Sequence, residues 1–118
     1  EHPERIIGYY TLAAASVVLD RLPEEIRKAL PRYQDIPSIL LGRLAVSNAF
    51  QRQHIGSLLV FDALRRSLHN ELAWAFFLVQ AKNEQVKRFY SRCMFQPFQD
   101  TPMYLWMHRA QALKVVGS

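Results

Sequence analysis

The chain has 118 residues, half of them apolar and 21% charged, with a formal net charge of +5 at pH 7. That balance describes one soluble globular domain, residues 1–118, large enough to bury a core and without an internal linker or repeat. No apolar run approaches the ~20 residues that span a bilayer, and the acidic start at Glu1 and Glu4 lacks the basic region of a secretory signal. A single cysteine, Cys93, excludes an internal disulfide and fits a reducing, cytoplasmic compartment. His2, His69 and His108 are scattered and there is no Cys-x-x-Cys, so no metal site is expected. The positive charge suits an anionic partner such as a nucleotide, RNA or an acidic protein segment, and equally suits plain solubility.

In chain order, residues 5–20 (RIIGYYTLAAASVVLD) are rich in β-branched and aromatic residues and predict a long strand, with room for a bend. Starting almost directly on a strand leads us to expect that elements preceding it in a longer form are missing. Leu22-Pro23-Glu24-Glu25 predicts a helix start, with proline early and acids in the first turn, running to Ala29 or Leu30. Residues 38–47 (SILLGRLAVS) form a nearly continuous apolar run of the kind buried on both faces. Gly42 inside it predicts a bulge or a close backbone approach. Arg43, its one charge, needs a partner or a route to solvent.

From Ile55 to Asn70 the period is helical, with Val60, Phe61, Leu64 and Leu68 on one side and Asp62, Arg66 and His69 on the other. Residues 72–81 (LAWAFFLVQA) predict a second buried strand, and residues 83–92 a short helix with Val86, Phe89 and Tyr90 inward. Two final strands, residues 95–98 and 103–108, flank a turn at Asp100-Thr101-Pro102, and from Ala110 the tail is expected to fray. The order β–α–β–α–β–α–β–β implies an α/β (α+β) fold with a mixed sheet.

The strand over residues 39–46 runs into a turn and then the N-terminus of the second helix. Such a turn presents unpaired N–H groups and a partial positive charge, a ready site for phosphate. Gln51-Arg52-Gln53-His54-Ile55-Gly56, followed by Ser57, resembles the acetyl-CoA signature of GNAT-type N-acetyltransferases, with Gln51 in its first place and Gly56 in its last. His54 stands where that family has its first glycine. Asn83 to Tyr90, then Ser91-Arg92-Cys93-Met94-Phe95, resembles the family's Asn-x-x-Ala-x-x-x-Tyr helix and the Gly-Phe strand entry after it. Val86 replaces the small residue and Met94 the glycine.

The resemblance implies a mostly antiparallel GNAT-like sheet flanked by helices, without the usual N-terminal strand and helices. It implies that Leu44, Ala45 and Val46 pair with the pantetheine arm of acetyl-CoA. Gln51, Arg52, Gln53, His54, Ile55, Gly56 and Ser57 would hold the pyrophosphate, and Asn83 belongs to the same coenzyme site. Tyr90 would be the acid that protonates the leaving thiolate, and an N–H of the bulged strand near Val46 would polarise the thioester carbonyl. From the residues alone, Tyr90 reads first as a core aromatic, and only its spacing from Gln51 in the resemblance puts the catalytic role ahead; Cys93 reads as a packed thiol rather than a nucleophile.

A narrower likeness, carried by GYYTLAAASV, by LPEEIRKALPRYQDIPSILLGRLAV and by the FY–PF–MYLW ending, is to the GNAT toxins of bacterial toxin–antitoxin pairs. It implies an enzyme that acetylates the α-amino group of aminoacyl-tRNA and blocks translation, needs no metal, and is neutralised by a ribbon-helix-helix antitoxin. A homodimer is compatible with it. Arg21, Arg27, Lys28, Arg32, Lys87, Arg88 and Arg92 are its candidates for tRNA phosphates. Two other readings stand beside it: a GNAT acting on a small amine or protein, and a non-catalytic GNAT fold that binds a partner.

Overall fold

The computed structural model describes residues 8–18, 23–24, 35–46, 55–69 and 73–117. Strand β1 (Gly8–Val18) and strand β2 (Asp35–Val46) form a long antiparallel pair. Helix α1 (Ile55–Leu68) carries the chain to β3 (Phe76–Gln80), which lies parallel to β2. Helix α2 (Glu84–Arg92), the two-residue β4 (Gln96–Pro97), β5 (Tyr104–His108) and helix α3 (Arg109–Gly117) complete the described elements. The sheet order is β1-β2-β3-β5-β4, and only the β2–β3 pairing is parallel. A parallel pair needs a crossover, and α1 provides it. The expected mixed, mostly antiparallel sheet with flanking helices is what the chain forms. Of the helix predicted near Leu22, only Pro23 and Glu24 fall among the described residues, and Glu24 is helical.

Alternation along the central strands divides the core into two layers. Phe77, Val79, Leu105 and Met107 point toward the helices and meet Val60 and Leu64 of α1, Tyr90 of α2 and Ala112 of α3. Phe76, Leu78 and Trp106 point the other way and pack with Val17, Ile36 and Phe98. Burial on both faces explains why FFLV and YLWM read as continuous apolar runs.

Strand β2 is not buried in this way throughout, as the sequence had led us to expect. Its second half is half-buried or exposed, because β3 pairs with it only from Ser38 to Leu41. Its bulge is at Gly42. Thr11 lies opposite Arg43 and Leu12 opposite Leu41, so Gly42 is the extra residue. A Cβ there would come within 2.8 Å of the Thr11 Oγ1, closer than any side chain tolerates. The extra residue switches the strand's parity. Ile39 and Leu41 face the helices before it and Leu44 faces them after it, while Arg43 is turned out to solvent.

Helix α1 buries Val60, Ala63, Leu64 and Ser67, an i, i+3, i+4, i+7 stripe. Phe61 was expected inward and is instead 40% exposed. Small residues at positions 63 and 67 let the helix lie close to the sheet, and this rotates Phe61 off the interface. The C-terminal carbonyls of α1 are capped from elsewhere in the chain. Trp74 Nε1 donates to the Ser67 oxygen at 2.8 Å, and Arg109, whose guanidinium stacks 4.8 Å from the Trp74 ring centre, reaches the Leu68 oxygen at 3.5 Å.

The tail from Ala110 does not fray. It forms α3, packed against α1 and β5, with Ala112 fully buried. The His108 Nδ1 accepts the Ala110 N–H at 3.0 Å and so caps the helix. Burial holds this imidazole below its ordinary value of 6.5, and its cap works only while Nδ1 is unprotonated. The unfolded imidazole takes up a proton near pH 6.5 and the folded one only at lower pH. The cap's stability is therefore present above pH 6.5 and is lost as pH falls through the folded value. Thermal melts between pH 7.5 and pH 5 should show a steeper loss for the wild type than for His108→Asn, which caps without titrating. Equal slopes would contradict this role.

Candidate active site

Beyond Leu41 and Val79 the two parallel strands separate. The chain after β3 turns toward the other side, where the Ala81 N–H donates to the Met103 oxygen at 2.7 Å. On that edge residues 42–45 therefore have no strand partner among the described residues, and their backbone groups are left for something else to satisfy. Leu44, Ala45 and Val46 all lie in this half of β2 and are half-buried.

Ile55, Gly56 and Ser57 make the first turn of α1, so their N–H groups are among those without intrahelical partners. This turn rests on α2. A Cβ on Gly56 would sit 3.3 Å from the Phe89 Cζ, which means that the ring lies against bare backbone. The Ser57 hydroxyl hydrogen-bonds the Cys93 sulfur. Cys93 is half-buried, and burial raises its thiol above the ordinary range, against the opposing pull of Arg92 and Ser57. A thiol held protonated is a poor nucleophile, as expected for a packing residue.

Asn83 is the N-cap of α2, its Oδ1 accepting the Val86 N–H at 2.9 Å. Seven residues on, Tyr90 is 4% exposed, with its ring between Phe89 at 5.2 Å and Phe95 at 5.7 Å. Burial, with a smaller contribution from Cys93, pushes its phenol up to about 12. The helix ends in a left-handed cap: the Phe95 N–H donates to the Tyr90 oxygen at 3.1 Å and the Met94 N–H to the Ser91 oxygen at 3.0 Å. This ties the backbone of Tyr90 to the strand entry. Met94 occupies the cap position with φ of 82° and is 56% exposed, so it carries strain without packing in return. Met94→Gly should raise stability by about 0.5 kcal/mol, because the relieved strain exceeds glycine's extra entropy in the unfolded chain. The melting temperature should rise by roughly 2 °C. A fall would contradict the argument.

A sheet whose parallel pair splays beside a helix N-terminus, with a buried tyrosine on the next helix, can be compared with known proteins. The acetyltransferase (GNAT) family model matches residues 2–95. The chain belongs to the GNAT family of acetyltransferases. It is 30% identical over 115 residues to the tRNA-acetylating toxin of Mycobacterium tuberculosis (strain ATCC 25618 / H37Rv), covering 96% of this chain and 68% of that protein. Among solved structures it resembles AtaT complexed with acetyl-methionyl-tRNAfMet, with 30% identity and a TM-score of 0.86 over 98% of this chain and 70% of that one. It also resembles AtaTR bound with acetyl-CoA, with 30% identity and a TM-score of 0.77 over 96% of this chain and 68% of that one. The chain thus spans about two thirds of the length of these GNAT relatives.

Of the residues singled out for the GNAT site, the fold brings together two groups, Ile55–Ser57 and Phe89–Cys93, with Leu44 packed on the same core as Tyr90. Gln51, Arg52, Gln53 and His54 lie outside the described residues, as do Arg21, Arg27, Lys28 and Arg32. Arg88 and Arg92 are exposed and Lys87 is half-buried. One pairing escaped sequence reasoning. Tyr10 on β1 donates its hydroxyl to the Asp62 Oδ2 of α1 at 2.5 Å, across 52 positions of chain. Nothing local in the sequence marks a pair formed only when the helix is laid on the sheet. No described helix is long and apolar enough to cross a membrane, and no metal-binding cluster occurs among the described residues.

Proposed function

We propose that this chain transfers the acetyl group of acetyl-CoA to the α-amino group of an aminoacyl-tRNA and so acts as a translation-blocking toxin. The observation that carries the reading is the splayed β2 edge beside the α1 N-terminus in a chain of the GNAT family. Residues 42–45, which have no strand partner on that edge among the described residues, offer backbone donors and acceptors to the amides of a pantetheine arm, as a strand edge does for an extended peptide. The first turn of α1, with the preceding Gln51, Arg52, Gln53 and His54, takes the pyrophosphate, since N–H groups and the helix dipole both favour an anion. Asn83 spends its carbonyl on the helix cap, so its part in the coenzyme site is to fix where α2 begins.

In the reaction the neutral amine forms a bond to the acetyl carbon, the carbon–sulfur bond breaks, and the proton lost by the amine ends on the thiol. A backbone N–H of the bulged β2 polarises the carbonyl. Tyr90 stays protonated at neutral pH and donates to the sulfur as negative charge develops there. A phenol near 12 is a weaker acid than a thiol near 8.5, so its part is a hydrogen bond in the transition state, with the amine supplying the net proton. An α-amino group with a pKa near 8 needs no dedicated base.

The substrate assignment is supported by the tRNA-acetylating relative and by the exposed cations Arg88 and Arg92, beside Lys87, on the helix that carries Tyr90. A cognate ribbon-helix-helix antitoxin and a cytoplasmic location accompany this reading. The test is calorimetric titration of the protein with acetyl-CoA, followed by acetylation of charged tRNA. Binding and transfer are expected. No binding at millimolar coenzyme would overturn the enzyme reading and leave a partner-binding GNAT fold; binding with transfer only to free amines would overturn the tRNA assignment.

A further inference from the structure

The splayed edge of β2 and the first turn of α1 must keep a set spacing if one extended ligand is to touch both. Three contacts tie α1 to the β1–β2 pair. Leu44 and Val60 belong to one core cluster, and Leu59 of α1 lies so close to β1 that a Cβ on Gly8 would meet its Cδ1 at 2.9 Å. The third contact is polar. Tyr10 sits directly opposite Leu44 in the β1–β2 ladder, and its hydroxyl donates to the Asp62 Oδ2 two turns into α1.

Asp62 is itself held by Arg65 at 2.7 Å and Arg66 at 3.2 Å. Those cations are 47% and 68% exposed, so the ion pairs orient the carboxylate more than they stabilise the fold. The Tyr10 bond is partly buried and ends on a charged acceptor, which makes it the strong member of the set. The carboxylate is kept ionised by that bond first and by Arg65 second. Apolar packing between a helix and a sheet is non-directional and permits small slides, whereas a short bond to an oriented carboxylate does not. A phenylalanine at position 10 would fill the same volume, so packing alone does not require the hydroxyl.

We infer that Tyr10 and Asp62 are positioning residues for the coenzyme, a strap that sets the α1 N-terminus against the open edge of β2. This rests on the acetyl-CoA reading above. The strap joins β1 to α1 and is assigned no part in bond making, so its loss should weaken binding and leave the chemical step alone. Tyr10→Phe is expected to raise the calorimetric Kd for acetyl-CoA, and its KM, by about tenfold, with kcat at saturating coenzyme within about twofold of wild type. Asp62→Asn should do the same, and the double variant should be no worse than either single one, as for two halves of one contact. Amide exchange of residues 55–58 should quicken in both variants without ligand, while the melt remains cooperative. An unchanged Kd in Tyr10→Phe, or a fall in kcat with KM unchanged, would overturn the inference. If the wild-type protein itself fails to bind acetyl-CoA, it is the functional reading that falls.

Discussion

Tyr90→Phe is expected to lower the rate of acetyl transfer by about a hundredfold and to leave acetyl-CoA binding within about twofold. The hydroxyl is the only part of Tyr90 removed. The ring keeps its contacts with Phe89 and Phe95, and the Schellman-type bond from the Phe95 N–H to the Tyr90 oxygen involves backbone alone. Stability should hold or rise slightly, because a phenol at 4% exposure no longer has to be desolvated. In the proposed binding mode, coenzyme held by the β2 edge and the α1 turn does not depend on that oxygen. The loss should therefore appear in kcat rather than in KM. The same burial that pushes the phenol to about 12 makes a pH prediction. The wild-type rate should follow ionisation of the amine, near pH 8 for an α-amino group, and show no decline from tyrosine ionisation below about pH 11. Full activity in Tyr90→Phe with coenzyme bound would remove Tyr90 from the mechanism.

Ala112→Asp should be the most damaging single change in the C-terminal helix, at about 3–5 kcal/mol, the usual penalty of an unpaired buried charge. Ala112 is 0% exposed and belongs to the same core cluster as Val60, Leu64 and Met107. A protein of this size has only about 5–15 kcal/mol in hand, so the variant should melt far below wild type or fail to fold at room temperature. Ala110→Asp is the matched control. Ala110 is exposed and lies in the first turn of α3, where a carboxylate complements the helix dipole and should be neutral or stabilising by a few tenths of a kcal/mol. The same charge two positions apart should thus act in opposite directions in urea unfolding. Similar losses at both positions would mean that α3 is not docked as described.

Much of this architecture was legible in the residue pattern. β-branched, aromatic and continuous apolar runs marked β1, β2, β3 and β5, and a helical stripe marked α1, because burying a face is a local requirement written into composition and spacing. The candidate site was legible in its helix ends, the start of α1 at Ile55 and the asparagine cap of α2, because end chemistry is local; the turn over residues 51–54 lies outside the described residues. Helix α3 was not legible. RAQALKVVG has little amphipathic contrast, and its helix exists because His108 caps it and α1 offers a place for Ala112.

The sequence by itself determined a mixed α/β domain of the GNAT kind, the glycine at which β2 bulges, and the helix start and tyrosine helix on which the acetyl-CoA proposal rests. It did so because those features follow from side-chain periodicity and backbone chemistry within a few residues. Tertiary structure alone decided that Phe61 faces outward, that the tail is a helix, that β2 opens beyond Leu41, and that Tyr10 reaches Asp62. Each of these depends on where one element is laid upon another, and contacts between residues dozens of positions apart leave no local periodicity to read.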